Sequence, residues 1–384
     1  MKTLVRFALA AGAAVGLSAL VLPAVAGADP APNVPAFTAN GGHAVFVQTD
    51  NPAGNQVVAY HRNSNGTLAA AGTYATGGLG GVLNGSAVDH LASQGSLTYD
   101  PVHNLLYAVN AGSNTVSVFS VFNGDQLSLR QVINSGGQFP VSVAVHGNNV
   151  YVLNGLSANV QGYGSFFGRL FPLPGTDRSL GITVPTNTNQ FTNSPGQVAV
   201  SPNGSELIVT TKLNNDDIDV YHIGFFGTLS PTPVVTPDPG GPFGVTFDGA
   251  GHLVVANTAS NSLSTYVLEP NGTAAAIDTV LDGQAATCWV TGAQGTFFAS
   301  NAGSADLSHF QEQPSSGALA LAGETPTDAG TVDAAASSDQ QFLYAQTGAS
   351  GIVDEFQVGA GGSLTAIGSV TVPGAVGGEG IVAL

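Results

Sequence analysis

The 384-residue sequence has one cysteine, one methionine, one tryptophan and few charges, with Asp, Glu, Lys and Arg together at 8%. A single cysteine excludes a disulfide scaffold, and so few charges exclude a coiled coil. Seven basic residues stand against 24 acidic ones, for a formal net charge of −17. Surfaces that track phosphates are built from Lys and Arg, so nucleic acid and anionic lipid are not expected partners. An apolar content of 43% also excludes a charge-rich disordered chain. The sequence is rich in glycine, with 52 residues set between short apolar runs.

At the N-terminus, Lys2 and Arg6 precede the apolar segment Phe7 to Val25, which ends at the small-residue sites Ala24-Val25-Ala26 and Ala26-Gly27-Ala28. This pattern is that of a secretory signal peptide. Gly12, Gly16 and Pro23 interrupt the run and oppose its reading as a membrane helix. The expected organisation is a signal peptide over 1–28, a tail over 29–41 and a single domain over 42–384. The protein is expected to be secreted or extracytoplasmic, without a membrane span after signal removal, and monomeric. Lys212 is then the one lysine left, beside Arg62, Arg130, Arg169 and Arg178. Cys288 lies in the apolar run Ala285 to Val290 and reads as a buried structural thiol.

Self-similarity organises the rest. A run rich in β-branched and aromatic residues recurs seven times: Ala44 to Asp50, Leu105 to Asn110, Val150 to Asn154, Leu207 to Lys212, Leu253 to Asn257, Phe297 to Asn301 and Phe342 to Thr347. A glycine turn follows each, at Gly66, Gly124, Gly168, Gly227, Gly272, Gly317 and Gly362. Several carry Asn-Gly, the signature of a hairpin whose two central residues both have positive φ. The steps between these glycines are 58, 44, 59, 45, 45 and 45 residues. A unit of roughly 45 residues is the size of one four-stranded propeller blade. The two long steps place insertions near Gly77 to Gln94 and near Pro172 to Pro195, the second a loop by its prolines.

Each unit opens with a short strand except the first, and Glu379 to Leu384 matches that opening pattern. The expected fold is therefore all-β: a seven-bladed β-propeller of four-stranded antiparallel blades, its ring closed by the C-terminal strand completing the first blade.

The stretch Tyr107-Ala108-Val109-Asn110-Ala111-Gly112-Ser113-Asn114-Thr115-Val116-Ser117-Val118-Phe119 resembles the YVTN-type propeller repeat. From about Gly42 to Leu384 the chain resembles the lactonase family of seven-bladed propellers, which includes bacterial 6-phosphogluconolactonases and fungal carboxymuconate cyclases. The resemblance implies a carboxylic ester hydrolase that opens a lactone. Phosphogluconolactonase-type members carry a histidine at the start of an opening strand and an arginine after the next strand. Gln197 and Asp217 stand at roughly those positions here, which argues against a sugar-phosphate lactone.

In an antiparallel blade, the start of the first strand and the end of the second lie at the same end of the sheet, so these residues ring one mouth of the central channel. The mouth would hold Glu379 or Asp333 as the base that activates water and Lys212 as the anion anchor. Gln197, Asn110, Asn154, Asn257, Asn301 and Trp289 would contact substrate. For each residue the competing reading is structural, with asparagines capping turns and charges paired or solvated. Function is correspondingly open between two classes. One is a hydrolase of a small cyclic ester; the other is a non-catalytic propeller binding a peptide, glycan or small ligand on the same face.

No zinc spacing occurs, and no metal or cofactor is expected. Asn214-Asn215-Asp216-Asp217-Ile218-Asp219 gathers oxygen ligands of the kind calcium takes, but it lacks the glycine and terminal glutamate of an EF-hand loop and also reads as an acidic turn.

Overall fold

The computed structural model describes residues 43–384. The expected signal peptide and the whole of the expected tail lie outside the described residues. Seven antiparallel sheets follow one another along the chain. Blade 2 shows the pattern, with strands Leu97–Asp100, Leu105–Asn110, Thr115–Phe122 and Gln126–Asn134 running from first to last.

Blade 1 is assembled from both ends of the described chain. Ile381–Ala383 pairs antiparallel with Ala44–Gln48, setting Phe46 opposite Val382, and two more strands, Gln56–Arg62 and Leu68–Ala75, complete the sheet. Arg62 reinforces the closure by donating to the Leu384 carbonyl oxygen at 3.1 Å and pairing with Asp339 of blade 7 at 3.0 Å.

Burial changes across each blade in the way the sequence requires. The second strands are covered on both faces by neighbouring blades, so Leu105–Asn110 and Phe342–Thr347 are buried at every position and read as continuous apolar runs. The fourth strands lie at the rim and alternate, as Gln126–Asn134 does. Side chains of adjacent blades interdigitate to form the core. Phe46 and Val57 of blade 1 meet Leu106 and Phe119 of blade 2, and the equivalent contacts recur between later pairs.

The tyrosine of the second strand ties one blade to the next. Tyr151 donates to the Gly227 carbonyl oxygen at 2.9 Å, and Tyr344 donates to that of Gly66 at 2.7 Å. Each buried hydroxyl thus reaches the hairpin of the following blade, satisfying a polar group that burial would otherwise penalise.

Two local expectations are modified. Asn123 and Gly124 both have positive φ, as a two-residue Asn-Gly turn requires, but at Asn65-Gly66 only the glycine does. There Gly66 donates to the Asn63 carbonyl oxygen and Asn63 to that of Thr67, giving a longer hairpin loop. The second insertion is also not entirely loop. Beyond the break imposed by Pro172 and Pro174, Arg178–Ser179 resumes pairing with Asn159 and Val160, and Gln190–Asn193 forms one helical turn. No helix among the described residues is long and apolar enough to cross a membrane.

Candidate functional site

Both insertions fold over the same end of the central channel. They bind one another, Asn84 donating to Gln190 Oε1 at 2.9 Å and Phe191 to the Asn84 carbonyl oxygen at 3.3 Å. The segment Leu83 to Gln94 then enters the channel as a plug. It is fixed to blade 1 by the His90 amide on the Gly377 carbonyl oxygen at 2.7 Å, and to blade 3 by Ser93 Oγ on that of Val141 at 2.8 Å. Its backbone also runs against Gly348, where a Cβ would lie 1.7 Å from the Val88 oxygen, so only glycine fits.

Gln94 shows why a plug is stable there. The first strand of a blade has a free inner edge, and its backbone groups need partners. The Gln94 side chain accepts from the Val290 amide at 3.0 Å and donates to its carbonyl oxygen at 2.8 Å, standing in for a neighbouring strand. Gln197 does half of the same, accepting from the Val245 amide at 2.6 Å.

The plug divides what the sequence presents as one mouth. Lys212 and Trp289 line a cavity of about 300 Å³ on the insertion side, whereas Gln197 and Asp333 line a separate channel cavity of about 460 Å³ beneath Gln94. Glu379 lines neither and is fully buried. Asn110, Asn154, Asn257 and Asn301 are buried and face neither cavity. They fasten strands within and between blades, as Asn257 Nδ2 does on Ser264 Oγ at 2.8 Å and Asn301 Nδ2 on Ser308 Oγ at 2.8 Å.

Lys212 closes the second strand of blade 4 in a positive-φ conformation. Its ammonium donates to the carbonyl oxygens of Ala92 and Phe191, both at 2.6 Å, and to Ser194 Oγ at 3.0 Å. An ammonium has three donors, and all are taken, so no N–H is left for the anion-anchoring part expected of it. The Phe243 ring faces it at 5.1 Å. Burial lowers its pKa to about 8, opposed by the nearby Asp89, Cys288 and Glu379.

Asp89, which the sequence does not single out, is the carboxyl at the cavity wall. Its Oδ1 accepts from the Leu91 and Ala92 amides at 3.0 and 2.8 Å. It also shares a hydrogen bond with Glu379, which in turn is held by the Ser93 amide at 3.0 Å and by Ser93 Oγ. Burial and the adjacent Asp89 keep Glu379 protonated well above the usual range. Burial also raises Asp89, but Glu379, two amides and Lys212 favour its ionised form. Within the pair the shared hydrogen bond raises Glu379 and lowers Asp89, so Glu379 holds a proton more tightly than Asp89 does. Behind it, Asp50 accepts from the Glu379 amide at 2.8 Å, and burial raises it to about 7.

The remaining wall is apolar: Val88, Phe191, Leu213, Phe243 and Trp289. Trp289 donates to the Ser93 carbonyl oxygen at 2.6 Å and meets Phe243 edge-on at 5.0 Å between centroids. Phe191 and Leu213 are partly exposed and form the rim. Cys288 also lines the cavity, but burial pushes its thiol up to about 12 and it donates to Thr258 Oγ1, so it is not a nucleophile. Asp217 is bound by Asn215 beside the second insertion's blade and contributes to neither cavity. The acidic groups of Asn214 to Asp219 do not converge on one point.

The ring of seven blades, closed by pairing the last strand with the first, defines a seven-bladed β-propeller. No family model matches the chain, and no curated protein matches its sequence. Solved structures do. A protein from Bacteroides uniformis, provisionally assigned as a 6-phosphogluconolactonase, superposes with a TM-score of 0.70 at 18% identity, covering 89% of this chain and 99% of its own. A similarly assigned protein from Bacteroides fragilis gives 0.68 at 16% identity over 91% and 98%. The periplasmic gluconolactonase of Pseudomonas aeruginosa gives 0.68 at 17% identity over 88% and 98%. At these identities the likeness is one of fold.

Proposed function

We propose that this protein is an exported lactonase-like hydrolase that opens a small, largely apolar cyclic ester in the cavity between the two insertions. The carrying observation is the Asp89–Glu379 carboxyl pair at and behind the wall of that cavity. Asp89 accepts a proton from water as the water adds to the ester carbonyl, and returns it to the ring oxygen as the ring C–O bond breaks, which yields a hydroxy acid and restores Asp89. Glu379 holds Asp89 in place, and the Lys212 charge opposes its neutralisation. Val88, Leu213, Phe243 and Trp289 select an apolar ring or tail. A phosphorylated sugar finds no free cationic donor here, since the Lys212 ammonium is saturated. Asp333, in the channel cavity, has no place in this scheme. Export is supported by Lys2, Arg6, the apolar segment Phe7 to Val25 and the small-residue sites up to Ala28.

Hydrolysis of aliphatic, acyl-homoserine, sugar and muconate-type lactones, followed by acid release, tests the reading. Turnover is expected on the aliphatic or acylated compounds, falling by at least ~100-fold in Asp89→Asn. Absence of turnover on every lactone sinks it. The second reading is binding without catalysis, favoured by the lack of any free ammonium donor at the wall. In that case the same compounds change the fluorescence of Trp289, the only tryptophan, without being consumed.

A further inference from the structure

A second cluster of chemically active side chains lies away from the plug, in the cleft between blades 5 and 6. Asp248 and His252 belong to the hairpin after the first strand of blade 5, Pro242–Phe247, and Glu312 is near the end of the third strand of blade 6, Asp306–Gln313. One ligand atom from each lies within 4.8 Å of the others. Asp248 Oδ2 is 2.6 Å from His252 Nδ1, which is 3.9 Å from Glu312 Oε1.

Three features mark this as more than an acidic turn. The Glu312 side chain is only 5% exposed, yet its Oε1 has no hydrogen-bond partner. Asp248, 2% exposed, spends its Oδ1 on the Ala250 and His252 amides at 2.9 and 2.6 Å, which fixes the hairpin and leaves Oδ2 aimed at the cluster. No lysine or arginine pairs with either carboxyl among the described residues. Asp248 and Glu312 also line a polar cavity of about 240 Å³ with Gly249, Gly292, Gln294 and Gln340.

We propose that Asp248, His252 and Glu312 bind one divalent transition-metal ion, of the zinc class, with its remaining position open to water in this cavity. One imidazole and two carboxylates are a ligand set that zinc accepts, whereas calcium prefers oxygen alone. Tetrahedral ligands at zinc distances lie ~3.4 Å apart. The separations of 2.6 and 3.9 Å bracket that value, so small side-chain rotations complete the site. The metal would join the blade 5 hairpin to blade 6, at the opposite end of the strands from Lys212.

Tag-free protein, freed of metal with a chelator, is titrated with ZnCl₂ by calorimetry. One equivalent is expected to bind and raise the Tm, with affinity falling at least ~10-fold in Glu312→Gln and in His252→Ala. CaCl₂ at the same concentrations is expected to leave the Tm unchanged. Glu312→Gln removes one of two opposed carboxyls and keeps its shape, so the fold survives the substitution. CoCl₂ with the wild-type protein gives a separate readout, an intensified visible absorption from low-coordinate cobalt. Failure to take up zinc, equal uptake by wild type and both variants, or a cobalt spectrum like that of the aqueous ion overturns the proposal.

Discussion

Lys212 Nζ lies 2.6 Å from the carbonyl oxygen of Ala92, so the end of a blade 4 strand is bonded to the plug contributed by the first insertion. The same ammonium reaches Phe191 and Ser194 of the second insertion. One buried cation thereby fastens two distant segments over the channel and offsets the charge of Asp89.

Lys212→Met is expected to destabilise the protein by about 3–5 kcal/mol, since it strands a buried carboxylate together with three acceptors. Lys212→Arg rescues little, because a planar guanidinium cannot replace a compact ammonium among three converging oxygens. Urea midpoints decide the matter. Coincident curves for wild type and Lys212→Met would show that the clamp holds nothing.

Asp333 gives an inverted pH dependence. Burial raises it from 3.8 to about 7, opposed by the Ala334 and Ile381 amides. A carboxyl raised on folding binds its proton more tightly in the folded state. Its stabilising contribution is therefore complete below pH ~4 and is lost as pH rises through about 7. The difference in unfolding free energy between wild type and Asp333→Asn should fall by on the order of 3 kcal/mol between pH 4 and 7. A constant difference across that range would mean that Asp333 titrates normally.

Gly244→Ala tests the fit of the plug. This glycine has no unusual backbone angle, but an added Cβ would lie 2.2 Å from Gln94 Oε1 and 2.7 Å from the Cys288 oxygen. The substitution should cost about 1–3 kcal/mol and loosen the Gln94 bonds to Val290. Faster amide hydrogen exchange at Val290 is the expected signature, and unchanged exchange counts against Gln94 as the strand substitute.

Tyr344→Phe removes the hydroxyl that links blade 7 to the Gly66 hairpin of blade 1 while leaving the ring packed. A loss of about 1 kcal/mol is expected, read as a lower Tm. A Tm equal to that of the wild type would leave ring closure to the paired strands and Arg62.

Much of the architecture was legible in the sequence because it is periodic. The even spacing of Gly124-to-Gly168 and Gly227-to-Gly362 reports blade size, and the fully apolar run Leu105 to Val109 reports a strand covered on both faces. Glu379 to Leu384 announced the closing strand, since it supplies what the first unit lacks. The site was less legible. Lys212 and Trp289 stand out by being the sole lysine of the domain and the sole tryptophan, and both line the cavity. Asp89, Ser93 and Gln94 lie in a glycine-rich insertion with no repeat to align to, so no spacing marks them.

What the sequence by itself determined is thus the repeat, and with it the number of blades, their strand order and the way the ring closes, because hydrophobic periodicity and turn glycines are local properties. Only the tertiary structure decided where the two insertions go. Their fold over one mouth buries Glu379, saturates Lys212 and separates Gln197 and Asp333 from Trp289. It decided equally that Asp248 and His252 meet Glu312, which is sixty residues beyond His252 in the chain. Those relations arise from the packing of one blade against another, and nothing in the linear order of residues encodes them.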